Sequence, residues 1–78
     1  MSKADLYTTL KAGNTETQTI ASDLETLEQN LANETITSEE FNISVTQIRD
    51  IDINNLLVGD DLSQANVISL CDILLGNG

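Results

Sequence analysis

Asp50, Asp52 and Asn54 stand at alternate positions, the spacing at which a calcium-binding loop presents its first three oxygen ligands. Such a loop needs Gly at its sixth position for the sharp turn and a bidentate Glu at its twelfth; here these are Asn55 and Asp61. Acids that cap helix ends account for the same residues, so no metal site is expected. Glu39-Glu40 and Asp60-Asp61 are adjacent carboxylates, the residue type for acid–base work. Neighbours one apart on a helix point in different directions. Both pairs also precede apolar segments, where negative charge favours a helix start. Cys71 lies within an apolar run and reads as a small core residue. The chain has no histidine and no Gly-rich phosphate loop. Neither a zinc set nor a catalytic constellation assembles from it. The expectation is a non-enzymatic protein without a cofactor.

Phe41-Asn42-Ile43-Ser44-Val45-Thr46-Gln47-Ile48-Arg49-Asp50 alternates apolar, turn and polar residues ahead of an arginine. Over these ten residues it is similar to the turn and recognition helix of winged-helix repressors. The resemblance implies a helix-turn-helix-like regulator. Arg49 is the only base in the second half of the chain, however, and DNA binding ordinarily neutralises several phosphates.

Charge sets the class of partner. The 78 residues carry 13 Asp and Glu against 3 Lys and Arg, a formal charge of −10. Phosphate backbones and anionic membranes are poor partners for such a surface. A basic protein is a good one. Glu16, Asp23, Glu25, Glu28 and Glu34 form the candidate protein-binding acidic face. Small acidic proteins can block nucleic-acid-binding enzymes by placing carboxylates where phosphates would sit. Glu16 and Asp23 are separated by about 10 Å along a helix, against about 3.4 Å per charge on one DNA strand. A mimic would therefore draw acids from several helices.

The elements follow from caps and periodicity. Ser2 with Asp5 opens a helix to Lys11 that aligns Leu6, Tyr7 and Leu10, and Ala12-Gly13-Asn14 ends it through a left-handed glycine. A second helix covers Thr15 to Asn33, with Ile20, Leu24, Leu27 and Leu31 as its seam. Asp23 and Glu28 would oppose each other in a parallel homodimer, so this seam is expected to pack within its own chain. Thr37 and Glu40 form a capping box flanked by Ile36 and Phe41 as a hydrophobic staple. The next boundary is expected as a break, with Asp52 capping a short helix Ile53–Val58 that ends at Gly59. Asp60 or Asp61 then caps the last helix, Asp61 and Gln64 making a weak box, and Gly76-Asn77-Gly78 stops it. The fold class is all-α, a single acidic domain over residues 1–78 built as a bundle of about four short helices, the C-terminal one most buried.

Residues 1–40 hold seven Ile, Leu, Val or Phe and eight acids; residues 41–78 hold sixteen and five. The excess centres on Leu62–Leu75, which as a helix is apolar nearly all round, with Ser63, Asn66, Ser69 and Asp72 as a narrow polar strip. Leu62, Val67, Ile68, Cys71, Leu74 and Leu75 are the candidate core or oligomer contacts. With a single cysteine, no internal disulfide can staple so short a chain. Met1–Leu10 lacks the apolar run of a signal peptide, and no apolar run exceeds three residues. A cytoplasmic location is expected, in the host cell if the chain is phage-encoded. Two acceptor patterns for glycosylation, at Asn33 and Asn42, are then chance matches.

The sharper functional reading is an inhibitor or nucleic-acid mimic that binds a basic nucleic-acid-handling protein. A phage-like structural or assembly subunit forming a homo-oligomer is the alternative, and the helix-turn-helix-like regulator the third. Because the carboxylates outnumber the bases so heavily, modest salt or mildly acidic pH raises the melting temperature. A thermal melt unchanged between low and physiological salt would contradict that self-repulsion.

Overall fold

A computed structural model describes residues 1–76. Helix α1 runs Lys3–Lys11 and α2 runs Thr15–Ala32. Helix α3, Ser38–Gln47, continues through a π-helical turn, Ile48–Asp52, into α4, Ile53–Leu56; α5 is Asp61–Leu74. No strand occurs among the described residues, and the molecule is an all-α bundle of four helical rods.

Side-chain caps start the rods. The Asp5 N–H donates to Ser2 Oγ at 3.2 Å and the Ser2 N–H to the Asp5 carboxylate at 3.3 Å, a closed capping box. The same reciprocal pair joins Thr37 and Glu40 at 3.1 and 3.0 Å. Ile36 packs against the core beside this box and Phe41 is buried within it, as a staple requires. Asn14, which periodicity did not single out, caps α2 by accepting from the Thr17 N–H at 2.9 Å. Asp60 caps α5 through the Ser63 N–H at 3.2 Å. Gln64 donates to the Leu57 carbonyl at 2.7 Å instead of completing a box with Asp61.

Two expectations about chain reversal are corrected. Gly13 is not in the left-handed region; the glycines with positive φ are Gly59 and Gly76. Gly13 is needed for space: a Cβ there would lie 2.5 Å from Thr17 Oγ1, which donates to the Leu10 carbonyl at 2.8 Å. The expected break capped by Asp52 is also absent. Asp52 has helical backbone angles and no capping bond, and the Ile53 N–H donates to the Ile48 carbonyl five residues back. On a regular helix, residues five apart point about 140° away from each other. The wider π turn brings Ile48 and Ile53 closer to one face, and both are buried. The short helix accordingly ends at Leu56 rather than Val58. The stop expected at Gly76-Asn77-Gly78 is realised at Gly76, φ 81°; residues 77–78 lie outside the described residues.

The rods close into a ring. Helix α1 packs against both α2 and α5, and the α3–π–α4 rod packs against α5 and, through α3, against α2. Ile20 and Leu24 of the α2 seam are buried, and Leu27 and Leu31 are half-buried against the same core. The seam thus packs within its own chain. Helix α5 is one wall of the ring, not a central rod covered on all sides. Val67, Leu70 and Cys71 are fully buried, Leu74 and Leu75 half-buried, and Leu62 is 74 % exposed. The radius of gyration is 11.7 Å, matching the ~11.5 Å of a compact domain of this length. No buried side-chain polar atom among the described residues lacks a partner.

The connection from α2 to α3 contains the one non-glycine residue with positive φ among those described, Glu34 at 60°. Around it the Thr35 N–H donates to the Asn30 carbonyl at 2.8 Å and the Glu34 N–H to the Leu31 carbonyl at 3.1 Å. This is a Schellman ending with glutamate where glycine is favoured. Replacing Glu34 by Gly raises the unfolding free energy by about 1 kcal/mol. Glu34→Gln, which keeps the backbone penalty, gives a smaller gain in denaturant melts. Gly13→Ala lowers stability by about 1–3 kcal/mol through the Thr17 clash. Equal gains from Gln and Gly at position 34 would assign the effect to charge alone.

Candidate protein-interaction surface

The partners of the three cations decide which carboxylates are free. Lys3 Nζ lies 2.8 Å from Glu28 Oε1, and the Tyr7 hydroxyl donates to Glu28 Oε2 at 2.7 Å. Lys11 Nζ lies 2.7 Å from Glu25 Oε1 and 6.0 Å from the centre of the Tyr7 ring. Lys3, Tyr7 and Lys11 recur at the four-residue spacing of one face of α1, and Glu25 and Glu28 at the three-residue spacing of one face of α2. These five residues clasp the two helices along their shared edge. Arg49 Nε donates to Asp50 at 2.9 Å and Nη1 to Asp72 of α5 at 3.2 Å, tying the π turn to the last helix.

Every Lys and Arg is therefore paired, and 13 carboxylates less four leaves nine without such a partner. Three of the nine, Asp5, Glu40 and Asp60, cap helices. Of the expected acidic face, Glu16, Asp23 and Glu34 are exposed and unpaired. Glu25 and Glu28, of the same expected face, pair with Lys11 and Lys3 of α1. The cause is the cation spacing on α1, a property of two helices together.

The calcium-type spacing falls in helix. Asp50 is bound by Arg49, its carbonyl accepts from the Asn54 amide at 2.8 Å, and no cluster of three or more ligating side chains occurs among the described residues. Hydrogen bonding to Arg49 holds the Asp50 carboxyl below its usual range. The turn of the winged-helix-like segment is missing as well: Phe41, Asn42 and Ile43 lie inside α3. The Thr37 capping box starts the helix ahead of them and carries it through. Cys71 is fully buried, and burial pushes its thiol up to about 12, away from nucleophilic use.

Apart from Met1, Ile43, Ile51, Leu56 and Val58, which are exposed elsewhere, apolar groups reach the surface on α5 and at one end of the bundle. The outer face of α5 exposes Leu62, Ala65 and Ile68, three residues apart. Ser63, Asn66 and Asp72 of the polar strip are half-buried, and Asp72 accepts from Arg49. At the end of the bundle where α2 and α5 finish, a groove of about 310 Å³ is lined by Leu31, Ala32, Phe41, Ile73 and Leu74, with Lys3 and Glu28 at its edge. No described helix is long and apolar enough to cross a membrane. No family model, curated protein or solved structure matches this chain.

Burial, then the bond to Glu28, raises the Tyr7 hydroxyl well above its ordinary 10.0. The stability this phenol contributes is fully present below pH 10 and is lost as pH rises through the higher folded-state value. Tyr7 is the only tyrosine and there is no tryptophan, so phenolate absorbance reports on it alone. Its ionisation is expected above pH 10, together with loss of helical circular dichroism. Tyr7→Phe costs about 1–2 kcal/mol at neutral pH. Ordinary ionisation near pH 10 with the helices intact would remove the clasp from the stabilising contacts.

Proposed function

We propose that this chain is a non-enzymatic protein-interaction module of the cytoplasm whose acidic surface engages a basic, nucleic-acid-handling protein, as an inhibitor or nucleic-acid mimic. The observation that carries this reading is the complete internal pairing of its cations. A phosphate ligand would meet no free base, whereas a basic surface meets nine carboxylates that no Lys or Arg neutralises. Glu16, Asp23, Glu34, Glu39 and Asp61 are exposed and take no side-chain part in capping. They arise from four different connections and rods, so the charge is spread over the body, as a mimic requires. The long axis of 34 Å is about one turn of duplex DNA. Glu34 also keeps its carboxylate at a backbone position where glycine costs less. Arg49, the base on which DNA binding would depend, is held by two carboxylates.

A second reading rests on the outer face of α5. Leu62 at 74 % exposure and Ile68 at 38 %, with Ala65 between them, favour a structural or assembly subunit that associates through this helix.

Titration against a panel of basic nucleic-acid-binding proteins separates the two. The first reading expects binding that weakens with salt and falls about tenfold when Glu16 and Asp23 are both reversed to Lys. Reversing Glu28 should lower the melting temperature as well, because it breaks the clasp. Binding indifferent to salt and to Glu16 and Asp23 would sink it. Light scattering addresses the second reading: an oligomer that persists at high salt and is dissociated by Leu62→Asp or Ile68→Asp would favour it.

A further inference from the structure

We infer that the groove where α2 and α5 end is the anchor site for the basic partner, and that it receives one apolar side chain carried on a lysine- or arginine-rich helix. This deepens the acidic-interaction reading above and rests on it. The floor is apolar: Leu31 and Ala32 from the last turn of α2, Phe41 from the first turns of α3, and Ile73 and Leu74 from the end of α5. A volume of about 310 Å³ is at the small end of the range that holds a ligand, and it suits a leucine or phenylalanine side chain with the backbone that bears it.

The charge around that floor selects the occupant. Lys3 is the one cation at the edge, and Glu28 already neutralises it while accepting from Tyr7. Glu34 follows Leu31 in the connection leaving α2, and Glu39 and Glu40 sit in the first turn of α3, directly before Phe41. None of these three carboxylates has a Lys or Arg partner. An apolar floor on a body of charge −10, with Glu34 two residues beyond Ala32 and Glu39 two before Phe41 in the chain, is complementary to an amphipathic basic helix, whose apolar residue enters while its ammonium or guanidinium groups meet the acidic surface around it. A second copy fits poorly, since it would bring a further charge of −10 to a body that already carries −10.

The test uses a synthetic helical peptide with lysines along one face and a single central leucine, titrated by fluorescence anisotropy and by amide chemical shifts. Binding is expected to shift Leu31, Ile73 and Leu74, and to weaken about tenfold when the peptide leucine becomes alanine, the effect of one lost apolar contact. Ala32→Leu fills the groove from an exposed position on the final turn of α2. It should produce a similar loss without lowering the melting temperature. Equal affinity for the alanine peptide, or for Ala32→Leu protein, overturns the anchor site. Equal affinity for a peptide with glutamine in place of every lysine overturns the basic partner and leaves a plain apolar groove. Salt-sensitive binding with shifts confined to Leu62, Ala65 and Ile68 overturns the groove while the acidic-interaction reading stands. No binding of any basic peptide at low salt overturns both.

Discussion

The Glu28 carboxylate accepts from the Tyr7 hydroxyl on one oxygen and pairs with the Lys3 ammonium on the other, at 2.7 and 2.8 Å. With only three Lys and Arg in the chain, each such pairing neutralises a scarce cation, although Lys3 and Lys11 stay about half exposed. The clasp between α1 and α2 takes two of them, and the link from the π turn to α5 takes the third. Exposed ion pairs contribute little to stability by themselves. Here their larger consequence is electrostatic: they fix which carboxylates are spent and leave nine others with no Lys or Arg partner. The phenol in the clasp is partly buried, so its bond to a charged acceptor weighs more than the exposed pairs beside it.

Beneath the clasp, Thr17 supplies the corresponding buried contact. Its hydroxyl reaches the Leu10 carbonyl across the turn, and Gly13 leaves room for it. Polar contacts therefore hold α1 against α2 at both ends of their shared edge, and the apolar seam of α2 is free to face the core. The π turn does the equivalent work in the second half. By widening one turn it brings Ile48 and Ile53 toward one face, so α3 and α4 act as a single bent rod opposite α5. The wall formed by α5 then has an inner stripe, Val67, Leu70 and Cys71, and an outer face with Leu62 and Ile68.

The local features were legible in the residues. Both capping boxes, the α2 seam, the staple at Ile36 and Phe41, and the stop at Gly76 follow from interactions three or four residues apart, which a linear pattern records. The boundary at residues 48–53 was not, because alternating Asp and Ile read equally as a break. The i+5 bond there turns Ile48 and Ile53 into the core against α5, a helix distant in the pattern of residues 48–53. The role of Gly13 escaped for the same reason: its constraint is a hydroxyl on the next helix. Which acids of the expected face would be ion-paired was not legible. Glu16, Asp23 and Glu34 stay free, whereas Glu25 and Glu28 are claimed by a helix whose position no α2 pattern encodes.

By itself the sequence determined the helical class, the rod starts, the acidic excess and the poverty of catalytic side chains, since each depends on composition or on contacts within one turn. Tertiary structure alone decided which acids are neutralised, that α5 is a wall with an exposed apolar face, and that Leu31, Phe41 and Ile73 meet at one groove. Those outcomes need side chains far apart in the chain to arrive at one place, and closure of the ring of rods brings them there.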